Sequence, residues 1–313
     1  MPIWSYSGHN YWSYNPASVS EGEREIAEAI LKIRSLYDAG FPYFTKEALR
    51  NAYQQLMKAR EDRTKVTLIG LDRAAVDFDI EVGRIFEGDE PELEFIVGEP
   101  FIFYLPFVML TSEIHNLIPR LAYCNLQIFH YMTLRNKTTK EILGRPIRPY
   151  VEVKQFFKTS QQTWEASEYY KQLSSTLASA ELPLIKKIIA FACGPMAYVD
   201  ESNNQLTLHS TYRHLLILIL KDLLNKKMRL LEEITCYAQD PDYTEVDKSV
   251  LRESGVTVLD EPKAFLEVDD STTMISFAAN VPVKEIVLDI ARPALMIWDS
   301  ICIETIIEGQ DVE

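Results

Sequence analysis

The sequence has no glycine-rich phosphate loop, no C-x-x-C pair, no long apolar run and no surplus of positive charge. Each absence removes a class of function. Cys124, Cys193, Cys236 and Cys302 are the four cysteines and lie far apart. That argues against a disulfide framework or a cysteine zinc site and fits a reducing compartment. The most apolar window, residues 100–110, is too short for a bilayer and is broken by Pro106. The opening MPIWSYSGHNYWSYNP lacks the basic stretch and apolar core of a secretory signal. A soluble, cytoplasmic protein without membrane contact is expected. No low-complexity tract interrupts the 313 residues, and their 47% hydrophobic content suffices for one large core or two modest ones. The net charge of −14, taken alone, speaks against nucleic acid.

The charge is unevenly spread, however. Between residues 134 and 158, Arg135, Lys137, Lys140, Arg145, Arg148, Lys154 and Lys158 stand against Glu141 and Glu152, a local balance of +5. A second island, +3, sets Lys221, Lys226, Lys227 and Arg229 against Asp222. Such runs are either solvated helix and loop faces or a local track for phosphates. Attraction within a Debye length of about 8 Å depends on neighbouring charge and not on the chain total.

The stretch that organises the chain is 184–197, LIKKIIAFACGPMA. Its apolar, β-branched centre reads as a strand buried on both faces, and Cys193-Gly194-Pro195 forces a sharp exit. Strands at 184–193, 233–238, 256–259, 272–278 and 294–299 alternate with helices at 210–224, 244–253, 262–266 and 283–290. This beat specifies an α/β fold, a Rossmann-like doubly wound and mainly parallel sheet with strand 184–193 near its centre. Residues 1–180 read as a mixed, mostly helical region packed on that sheet, either separate from 181–313 or one globule with it. Helices are expected there at 21–39, at 46–61 with Thr45 as N-cap, at 112–132 and at 162–178. Strands are expected at 64–71, within 93–110 and at 150–157, and residues 1–20 read as an arm or lid.

Ligands of open parallel sheets sit at the carboxyl ends of the strands. Asp240 follows the second strand, where Rossmann-like folds place a ribose-binding acid. Yet the first loop has one glycine, and Pro195 has no N–H to offer a pyrophosphate, so no dinucleotide site is expected. Asp240, Asp242, Glu245 and Asp247 are either an acidic pocket for a cation or turn and cap carboxylates of the next helix. Cys193 is a nucleophile or a small buried hydrophobe at a strand end. His214, early in helix 210–224, is a general base held neutral by the helix N-terminus, or a satisfied core histidine. Asp299 closes the last strand as a ligand carboxylate or as an edge cap.

The segments IIAFACGPMA, TYRHLLILILKDLL, ITCYAQDPDYTEVDKSVLRESGVTVLDEP and FLEVDDSTTMISFAANVPVKEIVLDIARPALMIWD resemble the fungal branch of the sensitivity-to-red-light-reduced (SRR-like) domain family, over residues 184–300. Plant and animal members have a more glycine-rich first loop and Pro-His-Cys after the fourth strand. This chain has CGPM and Ala278-Ala279-Asn280-Val281-Pro282 instead. Most members are described as regulatory. Some fungal ones look like arginine-containing cyclodipeptide synthases, which take aminoacyl groups from transfer RNA. The resemblance implies an aminoacyltransferase that joins arginine from Arg-tRNA to a second residue from another charged tRNA. Those esters are already activated, so neither metal nor cofactor is required. On this reading Asp240, Glu245, Asp299 and Asn280 bind substrate. His214 or Tyr198 takes the α-amine proton, with Cys193 or a neighbouring serine as a site for an aminoacyl-enzyme. Arg135, Lys137, Lys140, Arg145, Arg148, Lys226 and Lys227 touch the RNA. The alternatives are a non-catalytic regulatory SRR-like protein and an S-adenosylmethionine-dependent methyltransferase, the latter disfavoured by the glycine-poor first loop.

Overall fold

The computed structural model describes residues 5–6, 19–112, 119–199, 208–228, 232–277 and 279–298. After the short strand β1 (Ser5–Tyr6), the amino-terminal half opens with α1 (Val19–Asp38) and α2 (Lys46–Asp62). Leu49, Ala52, Leu56 and Ala59 form the buried stripe of α2, and the Thr45 hydroxyl caps it by accepting the Ala48 N–H at 3.1 Å. An antiparallel hairpin follows, β2 (Val66–Ile69) and β3 (Ala75–Phe78). Then β4 (Ile85–Glu87), β5 (Leu93–Tyr104) and β6 (Leu126–Asn136) join β1 in an antiparallel sheet of order β1-β6-β5-β4. The one-turn α3 (Phe107–Leu110) lies between β5 and β6.

Three expectations for this half are corrected. The helix expected at 112–132 gives way to β6, with residues 113–118 outside the described set. The β6 segment is dense in apolar residues, so its local period is blurred. Its long ladder with β5, from Leu93↔Asn136 to Tyr104↔Leu126, supplies the partners that make it a strand. The strand expected at 150–157 is instead the start of α4 (Tyr150–Glu165), which begins after Pro149 and buries Val153, Phe157 and Ser160 at helical spacing. The single helix expected at 162–178 breaks at Ser167, whose hydroxyl accepts the Tyr170 N–H at 3.2 Å and starts α5 (Glu168–Ser179). The half combines an antiparallel sheet and a hairpin with these helices. The arm expected at 1–20 falls largely outside the described residues.

The carboxyl-terminal half follows the expected alternation: β7 (Lys187–Phe191), α6 (Leu208–Met228), β8 (Thr235–Gln239), α7 (Glu245–Glu253), β9 (Val256–Val258), α8 (Lys263–Glu267), β10 (Thr272–Ser276), α9 (Val283–Ile290) and β11 (Leu295–Trp298). All five strands are parallel, in the order β11-β10-β7-β8-β9. β7 is central, and its two-faced apolarity now has an address. Ile188 and Ala190 pack with α4 to α7, whereas Ile189 and Phe191 pack with α8, α9 and the amino-terminal half.

That second core joins the halves. Phe191 stacks on Phe265 at 4.6 Å between centroids, and Tyr104 of β5 meets Phe265 at 5.7 Å. Two carboxylates of α9 pin the amino-terminal loops to this layer. Asp289 accepts the Tyr43 and Phe44 N–H groups at 2.8 and 2.9 Å, and Glu285 accepts that of Phe107 at 2.9 Å. Among the described residues no helix is long and apolar enough to cross a membrane.

Candidate functional site

The chain leaves β7 through a strained loop. Ala192 adopts φ 53° and Gly194 φ 76°, in the left-handed region. A Cβ on Gly194 would stand 2.8 Å from Ser210 Oγ at the start of α6, so glycine is required twice over. Two carboxylates hold the loop. Asp240, just past β8, accepts the Gly194 N–H at 2.8 Å through Oδ2 and the Asp242 N–H at 2.9 Å through Oδ1. Asp247 of α7 is fully buried, and its Oδ1 accepts the Met196 and Ala197 N–H groups at 2.8 and 2.9 Å. Its Oδ2 takes the Thr244 N–H and hydroxyl at 2.8 and 2.7 Å, closing a capping box.

Behind this loop two residues proposed for catalysis are sealed in the core. His214 has both ring nitrogens engaged. A carbonyl can only accept, so Nδ1 donates to Ser210 O at 2.6 Å and Nε2 accepts the Tyr243 hydroxyl at 2.7 Å. Burial brings its pKa down to about 4, against smaller opposing effects of Ser210 and Asp247, and the ring stays neutral. Cys193 is fully buried, and burial, helped by the Asp240 charge, pushes its thiol up to about 12. This geometry suits the core-histidine and buried-hydrophobe alternatives.

A cavity of about 200 Å³ opens against Asp240 at the carboxyl ends of β8 and β9. Its walls include Asp240 and Glu261 from the parallel-sheet half, and Arg60 and Tyr131 from the amino-terminal half. Phe101 extends the Tyr131 wall, the two rings stacked at 4.4 Å. Glu261 is packed closely by protein while still reaching the cavity. Burial pushes its carboxyl up to about 7; Asp240 adds to the rise, and Tyr104 and Arg60 oppose it. The buried Tyr104 hydroxyl lies near this carboxyl without completing a hydrogen bond of ordinary geometry. Burial also raises Asp240, against the pull of its two backbone hydrogen bonds. Among the described residues neither carboxylate forms an ion pair. The cavity is smaller than the roughly 300–1,000 Å³ of sites for drug-sized ligands. A larger groove, about 760 Å³, lies toward the opposite ends of the strands, where Lys221 and Lys226 in its wall already pair with Glu233 and Asp222.

The remaining residues proposed from sequence scatter. Glu245 is exposed and paired with Lys248 at 2.8 Å, and Asn280 is exposed. Asp299 lies outside the described residues. Tyr198 is half-buried under the Arg145 guanidinium, 5.6 Å from its ring centre, and its pKa is raised chiefly by burial. The basic window is largely neutralised by distant carboxylates. Arg135 and Lys140 share Glu94 at 2.7 and 2.9 Å, Lys137 pairs with Glu87, and Lys154 with Glu253. Arg148 stands 3.8 Å from Glu152, and Lys227 donates to Ala178 O at 2.9 Å. Glu261, Arg60 and Tyr131 were missed by sequence reasoning. The one local signal was the Asp-Glu-Pro turn after the third strand; nothing local ties it to residues 60 or 131. Among the described residues no group of three or more histidines, cysteines or carboxylates could hold a metal.

Five parallel strands with β7 central, helices on both faces and a cavity at the strand ends define a Rossmann-like α/β protein. Residues 147–305 match the SRR1 domain, and the chain belongs to the SRR1-domain family. The match takes in α4 and α5 as well as the parallel sheet, and it does not single out the cyclodipeptide synthase branch. Comparisons with curated proteins and with solved structures give no match.

Proposed function

We propose that this SRR1-family protein binds a small cationic group, a guanidinium or primary ammonium, between Asp240 and Glu261, and that arginine or an arginyl group supplies it. One observation carries the reading: two carboxyl groups without ion-pair partners among the described residues line one small cavity at the strand ends. A guanidinium presents paired donors that match carboxylate geometry, and its charge offsets the burial that disfavours both anions. In the transferase form of this reading, ionised Glu261 also takes the proton from the α-amine of one aminoacyl ester, and that amine attacks the ester carbonyl of the other, forming the amide and releasing the tRNA 3′-terminal hydroxyl. The product is then an arginine-containing cyclic dipeptide. A non-catalytic, ligand-responsive protein is the second reading. It is favoured by the burial of Cys193 and His214, which takes these two residues out of reach as nucleophile and base.

Calorimetric titration with arginine methyl ester, which mimics the aminoacyl ester, tests the shared claim. Saturable binding is expected, reduced at least about tenfold in Asp240→Asn and Glu261→Gln, the scale of a lost charge-assisted contact. Absence of binding overturns it. Incubation with Arg-tRNA and a panel of other charged RNAs, followed by mass analysis, separates the two forms. A ribonuclease-sensitive arginine diketopiperazine supports the transferase, and binding without product supports the second reading.

A further inference from the structure

The cavity is not simply acidic. Arg60 projects from α2 into the same wall, and its Nε is buried without a hydrogen-bond partner. Its nearest carboxylate, Glu99, stands 4.0 Å from Nε, beyond hydrogen-bond reach, and is shared with Arg63 at 3.7 Å. One terminal nitrogen donates to Pro100 O at 2.7 Å and the other makes a long contact to Met57 sulfur at 3.8 Å, so the guanidinium is fixed but weakly neutralised. Asp240 and Glu261 line the same cavity. Among the described residues no ion pair joins Arg60 to either of them.

Opposite charges at a desolvated site attract strongly and ordinarily close into a pair. Here the backbone carbonyl of Pro100 anchors the cation, and the Gly194 and Asp242 N–H groups anchor one anion. The result is a fixed dipolar slot. Building on the cation site proposed above, we infer that the ligand is dipolar: a free α-amino acid whose cationic end meets Asp240 and Glu261 and whose carboxylate meets Arg60. Lys248, the other base on the wall, is held by Glu245 and contributes little. The volume of about 200 Å³ suits one amino acid and not a nucleotide.

The test is a calorimetric series on the full chain with arginine, arginine methyl ester and agmatine, which keep the guanidinium and differ at the carboxyl end. Arginine is expected to bind at least about tenfold more tightly than either analogue, as a charge-assisted hydrogen bond to Arg60 requires. Arg60→Gln should bring the three within about threefold of one another, while Arg63→Gln leaves the preference intact. Equal binding of all three by the wild type overturns the dipolar slot and leaves the cation site standing. Failure of all three to bind removes both. The wild-type series decides the matter even where Arg60→Gln does not fold.

Discussion

At the scale of single residues, two buried titratable groups tilt stability in opposite directions. Glu261 has its folded pKa raised to about 7, above the ordinary glutamate value of roughly 4.3. Between those values the folded state holds the extra proton, so stability is present at low pH and lost as pH rises through about 7. His214 has its pKa lowered to about 4 from about 6.5, so the unfolded state holds the extra proton in that interval. Its contribution is present above about 6.5 and lost as pH falls toward 4. Between about pH 4.5 and 6.5 the two slopes offset each other. Thermal melts of wild type and variants across pH 4 to 8 read each contribution as a change of slope in that interval. Relative to wild type, Glu261→Gln should tilt the profile upward with pH, and His214→Gln should tilt it downward. Parallel profiles for all three proteins would refute both assignments. A bound cation favours ionised Glu261, so arginine affinity should climb with pH up to about 7, and this dependence should vanish in Glu261→Gln.

At the scale of elements, the carboxylates after β8 divide their labour. Asp247 accepts four hydrogen bonds inside the protein, two from the first loop and two from Thr244. Asp240 spends two acceptor positions on the loop and turn and also faces the cavity. Asp247→Asn turns an acceptor into an NH₂ toward two donors, each costing about 1–3 kcal/mol when left unsatisfied, so a loss of about 3 kcal/mol is expected. Asp240→Asn should cost less stability and more ligand affinity. Denaturant melts beside calorimetry check this, and the reverse ordering would show the roles exchanged. The strand-helix beat of this half was legible because its central strand is apolar on both faces and helices such as α7 carry boundary signals, Thr244 before it and Gly255 after it. Local pattern failed at β6 and α4. A strand that owes its state to pairing with β5, and an aromatic-rich helix beginning after Pro149, both present misleading local composition.

At the scale of the molecule, the site belongs to neither half alone, which explains why half of it stayed hidden. Asp240 announces itself by following a strand, but Arg60 and Tyr131 reach the cavity only because two distant sheets share a core. The charge balance of the basic window is likewise set by the whole fold. Counting within 134–158 misses Glu87, Glu94 and Glu253, which the fold brings to it from elsewhere. Phe265 is the residue on which this union rests. Fully buried, it stacks on Phe191 of the central strand and meets Tyr104 of the antiparallel sheet, four residues beyond Glu261. Phe265→Ala should cost about 3–5 kcal/mol, the usual range for emptying such a site. Because one core runs through both halves, the loss should appear as a single cooperative transition at lower temperature, with calorimetric and van't Hoff enthalpies still equal. Arginine binding by the folded variant should weaken as well, since the Arg60 and Tyr131 walls are positioned through that core. Phe265→Leu should recover most of both properties by refilling the volume. Two separate transitions in the wild type, or an alanine variant that melts early yet binds arginine undiminished, would show that the halves are stable apart and that the cavity owes nothing to their contact.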